Sequence, residues 1–428
     1  MTSTPPLQVP REYRAARIAV AALFLTNGAI FANLLPRYPQ LKADLGLSNA
    51  EYGLAVASFP CGALMAGLAA GALIRRFRSS RIAVAGTLLT SVGVLFAGLA
   101  PVWGALAGAL FLAGCMDAIT DVAQNSHGLR VQRLYGRSIL NSFHAIWSVG
   151  AVLGGLMGGL AASLHVPRGV HLGMSALLFA AVALTALRYT LPGPEPIEPG
   201  ERAEEATRTD GVPERRASTS VTRLWLMIAA LVLIAMGGTL VEDAGMTWAA
   251  VYLSGTLGAN AAVASFGFIA LVGSQFIGRL LGDGLVNRFG QRAVARVGGA
   301  TTALGMGTAL LFPSVPSTIA GFALAGFGVA TLVPAAMHGA DELPGLRAGT
   351  GLTVVSWLMR LGFLLSPPIV GLIADAVGLR VGLLVVPLAG TLVVVLSGVL
   401  SAARVTRQAV EQPLAGDDRV GAPRGEPS

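Results

Sequence analysis

Residues 192–220 read PGPEPIEPGERAEEATRTDGVPERRASTS. This run is dense in Pro, Glu, Arg and small polar residues. It holds too little apolar surface to offset the entropy of ordering it. The sequence on either side has the opposite character. Apolar stretches of about 20 residues recur there, each long enough to cross a hydrocarbon core roughly 30 Å thick. Upstream they fall near 15–36, 51–74, 81–100, 102–126, 139–163 and 169–190. Downstream they fall near 223–253, 262–285, 292–312, 316–338, 348–372 and 380–403. The pattern predicts an all-α integral membrane protein of 12 transmembrane helices in two six-helix bundles. The expected divisions are a tail at 1–14, a bundle at 15–190, a linker at 191–222, a bundle at 223–403 and a tail at 404–428.

Composition agrees. The chain is 54% hydrophobic and only 12% charged, where a soluble domain carries roughly 25% charge. The formal net charge of +8 invites a nucleic-acid reading, but its distribution points elsewhere. Of the 30 basic residues, 24 fall in segments on the side of the N-terminus and four on the other (Arg37, Lys42, Arg168, Arg380). Arg279 and Arg360 fall inside spans. Such a bias orients a membrane protein with its basic loops in the cytoplasm. Both tails and the linker are then cytoplasmic, in an inner or plasma membrane, and no nucleic-acid partner is expected.

Arg11, Arg14 and Arg17 precede the first apolar run, which continues without a small-residue cleavage site and is expected to stay as a span. Cys61 and Cys115 sit in apolar runs with no CxxC pattern, so packed thiols are expected, and no metal or cofactor. Ser48-Asn49-Ala50-Glu51 has the form of a capping box that starts the second span.

The halves repeat at an offset of about 212 residues. Arg76-Phe77 matches Arg288-Phe289, and Leu112-Ala113-Gly114 matches Leu324-Ala325-Gly326. His127-Gly128 matches His338-Gly339 one residue closer. Parallel repeats of six spans are related by an axis along the membrane normal, with a site between them near the midplane.

Gly282-Asp283-Gly284-Leu285-Val286-Asn287-Arg288-Phe289-Gly290-Gln291-Arg292 resembles the G-x-L-x-D-R-x-G-x-R loop of the major facilitator superfamily, with Asn287 where that family prefers Asp. The first half has Gly71-Ala72-Leu73-Ile74-Arg75-Arg76-Phe77-Arg78, with Arg75 and Arg78 at the Asp and second Gly positions. The resemblance covers essentially the whole chain. Within the superfamily the sequence is similar to fucose-permease-like carriers. The similar stretches are Leu35-Pro36-Arg37-Tyr38-Pro39-Gln40-Leu41-Lys42, Asp121-Val122-Ala123-Gln124-Asn125 and Ser142-Phe143-His144. The resemblance implies a carrier that works by alternating access. In such carriers an acid followed by x-Ala-x-Asn takes up a proton, which fits Asp121.

Ionisable side chains inside spans are costly and usually face a cavity or a partner. Asp117, Asp121 and Asn125 share one helix face. Asp117 and Asp121 are candidate proton-coupling acids; the alternative for Asp121 is an ion pair with Arg130. Glu242 and Asp243 follow Gly237-Gly238, where the helix can unwind, and Glu242 is a third coupling candidate. Their alternative is a solvated helix end. Arg360, with Trp357 on nearly the same face, offers a rigid five-donor fork to a solute oxygen or serves as the partner of Glu242. Asn27, Asn125, Asn141, His144, Trp147, Trp248 and Gln275 complete the candidate solute-binding set, each with a helix-packing alternative. Arg279 and Asp283, spaced for an intrahelical ion pair, and Arg288 are candidate gating residues.

Gly150-x-x-x-Gly154-Gly155-x-x-Gly158-Gly159 is similar to a glycine pattern of proton-drug antiporters but lacks their Pro, and it also suits close helix packing. No nucleotide-binding loop, zinc ligand set or nucleophile elbow is present. The sequence therefore predicts a monomeric secondary carrier in the lipid bilayer whose partners are a small polar solute and protons. It predicts no enzyme. The rival readings are a drug or metabolite efflux antiporter and a non-transporting receptor on the same fold.

Overall fold

A computed structural model describes residues 10–135, 139–193, 221–343 and 350–401. Most of the predicted linker and both outer tails lie outside the described residues. Within them the chain is helical throughout and contains no strand.

The first half contains α1 (Arg11–Ala32), α2 (Tyr38–Asp44), α3 (Asn49–Gly67), α4 (Ala70–Phe77) and α5 (Ser79–Gly98). It continues with α6 (Trp103–Tyr135), α7 (Leu140–Ser163) and α8 (Arg168–Leu187). The second half contains α9 (Val221–Gly255), α10 (Ala261–Phe289), α11 (Gln291–Leu311), α12 (Val315–Val329) and α13 (Leu332–Asp341). It ends with α14 (Thr350–Leu358), α15 (Arg360–Val377), α16 (Leu379–Gly382) and α17 (Val385–Leu396).

Ten helical stretches are long and apolar enough to cross a membrane, and an eleventh is formed by α3 and α4, which bend by 57° at their junction. The helix α11 occupies the remaining predicted span over 21 residues; Arg292 and Arg296 make it less apolar. Large side chains such as Leu177, Leu304 and Val395 are exposed on the outside of the bundle, a belt that suits lipid and would not suit water.

Several spans differ from their expected form. The second span is broken at Leu68-Ala69, whereas the eleventh runs from Thr350 to Val377 with helical backbone at Met359. The fourth and seventh are longer than predicted, at 33 and 35 residues. At 1.5 Å per residue these rods reach about 50 Å, well past the hydrocarbon core. The expected unwinding after Gly237-Gly238 does not occur, because α9 runs unbroken through it.

Local chemistry sets the helix starts. The Ser48 hydroxyl accepts from the Glu51 N–H at 3.1 Å, and Glu51 accepts from the Ser48 N–H at 2.9 Å. Asn260 accepts from the Val263 N–H at 2.9 Å and starts α10. Cys61 and Cys115 are free thiols.

The halves meet where α3 packs on α15 and α7 packs on α10. Glycines make the first contact possible: a Cβ at Gly53 would collide with the Pro367 carbonyl, and one at Gly371 with the Asn49 carbonyl. The glycines of α7 serve two neighbours. Gly150 and Gly154 lie against the backbone of α1 and Gly158 against Asn33 and Pro36 just past its end, whereas Gly155 and Gly159 meet Phe268 and Ser265 of α10. Helix packing thus accounts for that stripe.

Candidate functional site

A cavity of about 420 Å³ lies between the halves. Small-molecule sites span roughly 300–1,000 Å³. Seven helices line it: α1, α3, α6 and α7 from the first half, and α9, α10 and α15 from the second.

On the first wall, α6 turns Asp117 and Asp121 inward, one helical turn apart. Trp147 Nε1 donates to Asn27 Oδ1 at 2.8 Å, and Asn27 Nδ2 donates to Asp117 Oδ1 at 2.8 Å. The indole can only donate, which fixes the orientation of the amide and aims its NH₂ at the carboxylate. Next to this, Asn125 Nδ2 donates to Asp121 Oδ1 at 3.0 Å. The Asn125 Oδ1 lies 3.1 Å from His144 Nε2. With its NH₂ committed to Asp121, Asn125 must accept at Oδ1, so His144 carries its proton on Nε2. A hydrogen-bonded chain thus runs from His144 to Asp121.

On the second wall, Glu242 Oε2 accepts from Gln275 Nε2 at 2.8 Å and lies 3.6 Å from Arg279 Nη2. Asp243 is buried; Thr247 donates to its Oδ1 at 3.4 Å, the Ser366 hydroxyl lies near the carboxylate, and its Oδ2 accepts no hydrogen bond of normal geometry among the described residues. Arg360 lines the cavity and makes no ion pair or hydrogen bond among the described residues. Phe31, Phe59, Phe268 and Phe363 complete the lining.

The end of the bundle opposite residues 10 and 401 is sealed. Asp375 of α15 accepts from Asn49 N and Ala50 N, both at 2.8 Å, and from Asn49 Nδ2 at 2.9 Å. It thereby caps the first turn of α3 from the other half. Tyr52 donates to the Thr247 carbonyl at 2.8 Å. Its ring meets Trp248 at 5.0 Å and Tyr38 at 5.5 Å, edge to face. Behind them, buried Arg37 donates to Gln40 Oε1 and to the Val166 carbonyl, each at 2.9 Å.

Of the residues singled out in the sequence, Asn27, Asp117, Asp121, His144, Trp147, Glu242, Arg279 and Arg360 line the cavity together. The others stand elsewhere. Asn125 holds Asp121 from one turn further along α6, and Gln275 is buried behind Glu242. Trp248 is buried in the seal because its indole completes the aromatic cluster there. Trp357 is exposed and does not line the cavity with Arg360. The side chain of Asn141 lies outside the described residues.

The expected Arg279–Asp283 pair is replaced by Arg279–Glu242, because the cavity face of α10 turns Arg279 toward α9. Arg279 rather than Arg360 is therefore the partner of Glu242. The alternative of a solvated helix end for Glu242 and Asp243 also fails, as both lie mid-helix and line the cavity. Arg130 donates to the carbonyls of Pro192 and Gly193, the latter at 3.1 Å, and leaves Asp121 to Asn125. Asp283 and Arg288 are exposed at the open end, where Arg288 lies over the Phe289 ring at 5.3 Å.

Sequence reasoning missed Asp375 and Tyr52. A helix start whose first N–H groups need an acceptor was a signal for an acid, but nothing local pointed to a residue more than 300 positions away.

Two helical halves around a cavity that carries four acids and two arginines, closed by contacts at one end, have the form of a membrane transporter. Residues 20–283 and 243–422 match the Major Facilitator Superfamily, and the chain belongs to that family. Its members are transporters, not enzymes. An uncharacterized transporter, y4wD, of Sinorhizobium fredii is 32% identical over 89% of this chain and 97% of its own length. The membrane protein MosC of Rhizobium meliloti is 28% identical over 88% of each. A bacterial homolog of the human lysosomal transporter Spinster, in an inward-facing and occupied conformation, superposes with a TM-score of 0.70 at 15% identity, covering 91% of this chain and 96% of that one. A D-xylose-proton symporter superposes with a TM-score of 0.66 at 18% identity, covering 90% and 96%. At these identities the two structures share the fold.

Proposed function

We propose that this protein is a proton-coupled secondary carrier of a small polar solute, with Asp121 as the coupling acid and Asp117 as its neighbour on the path. The observation that carries the reading is the Asp121–Asn125–His144 chain in a cavity between the two halves. A carboxyl group held by a neutral amide can gain or lose a proton without breaking an ion pair, because the amide stays hydrogen-bonded in both states. Arg360, which makes no ion pair or hydrogen bond among the described residues but acts electrostatically on Asp121 across the cavity, supplies a solute contact from the opposite wall.

In this reading the bundles at 15–190 and 223–403, joined by the 191–222 linker, rock about the cavity. Both tails face the cytoplasm, so the seal at Asp375 and Tyr52 closes the outer side and the cavity stands open to the inside. The carrier works as a monomer in the inner membrane.

The test is uptake and counterflow of small polar solutes by proteoliposomes of the full chain, with and without a pH gradient. A solute that accumulates only with the gradient supports the proposal, and the sign of the gradient gives the direction. A solute that binds and never crosses ends the carrier reading in favour of a receptor.

A further inference from the structure

The proton path leaves two features of the cavity without a task. Asp243 is buried with an unpartnered Oδ2, and Arg360 makes no ion pair. An orphaned buried carboxylate oxygen is costly, and Arg360 presents its donors to the cavity. The wider charge balance points the same way. Four acids and two arginines line the cavity. Once Arg279 is engaged with Glu242, three acids and Arg360 remain on the cavity wall, and Arg360 acts electrostatically on Asp121. A simple anion would meet surplus negative charge, and a neutral polyol could hydrogen-bond Asp243 and Arg360 but would leave both charges uncompensated. An amine alone would leave the Arg360 fork empty. The rest of the wall is aromatic, from Phe31, Phe59, Trp147 and Phe268.

We propose that the cavity takes a small zwitterion, an amino-acid-like solute with its ammonium at Asp243, its carboxylate at Arg360 and an apolar, ring-sized body against the aromatic wall. This rests on the reading of the cavity as the transport site. The bidentate match of a carboxylate to a guanidinium and the charge-assisted bond to Asp243 give the specificity.

The experiment is binding to the purified full chain at fixed pH, with no gradient, read by thermal shift. Four probes are compared: L-phenylalanine, 2-phenylethylamine, 3-phenylpropionate and D-xylose. L-phenylalanine is expected to bind at least about tenfold more tightly than either single-charge analogue, and D-xylose more weakly still. Arg360→Gln should bring L-phenylalanine down to the level of 2-phenylethylamine without weakening the amine. Asp243→Asn should bring it down to the level of 3-phenylpropionate. Equal or tighter binding of a single-charge analogue or of D-xylose overturns the proposal, and so does failure of all four to bind. If a variant does not fold, the ranking on the unaltered protein decides alone. L-phenylalanine that binds but never crosses proteoliposomes refutes the carrier reading and leaves this one standing. Another solute accumulated by a protein that ignores L-phenylalanine does the reverse.

Discussion

The two walls of the cavity hold their acids in different ways. On the first, Asp117 and Asp121 are each held by an asparagine amide, one tied to Trp147 and the other to His144. On the second, Glu242 is held by Gln275 and the Arg279 guanidinium, while Asp243 keeps an oxygen with no partner. An amide tolerates a carboxyl group in either protonation state; a guanidinium favours the ionised one. In the proposed cycle the two halves divide the labour: one wall would exchange a proton, and the other would fix charge for a ligand.

The sharpest way to break this comparison is Asp121→Asn. One proton moved per solute allows about tenfold accumulation for each pH unit of gradient. In the variant the accumulation ratio should fall to about one, with counterflow retained. Full accumulation would remove Asp121 as the coupling acid. The mirror-image change, Glu242→Gln, should leave the ratio intact, because Arg279 rather than a proton answers that charge. Loss of coupling in Glu242→Gln would show the walls to be alike.

A smaller effect is expected at the sealed end. Asp375→Asn removes the anion from the first turn of α3 across the two halves. At this exposed position the charge contributes about 1 kcal/mol after screening, which is about a fivefold shift in the gate equilibrium. Thiol labelling of Thr247→Cys should speed up by that factor, and an unchanged rate would mean that the glycine contacts alone close the gate.

The smallest effect concerns the loops after the second span of each half. Gly290 has φ 83° and ψ 156°, and its counterpart Arg78 has φ 74° and ψ 144°. That region is nearly confined to glycine, and a residue with a Cβ is strained there by about 1 kcal/mol or more. Arg78→Gly should raise thermal stability by about that much, while Gly290→Arg should lower it. Equal Tm values for Arg78→Gly and the unaltered protein would refute the strain.

Much of this was legible in the residues. The capping box at Ser48 was correct because both partners lie within one turn. The inward set on α6 was correct because a four-residue spacing places side chains on one face whatever surrounds the helix. Arg279 was misassigned, because the same spacing offered it Asp283 and the sequence is silent on which face of α10 meets α9. Trp248 and Trp357 were misplaced for the same reason: amphipathic periodicity is weak in a chain that is apolar all round, so burial cannot be read from it.

Composition alone made this chain a bundle of membrane helices. Lipid offers no hydrogen bonds to the backbone, so each apolar stretch must satisfy its own N–H and C=O groups within a helix. The internal repeat then implied two similar halves. The pairing of those helices, the Arg279–Glu242 contact, the Asp375 cap and the orphaned Asp243 oxygen depend on contacts between residues distant in sequence. Such contacts arise from packing the halves together, and local spacing carries no record of them.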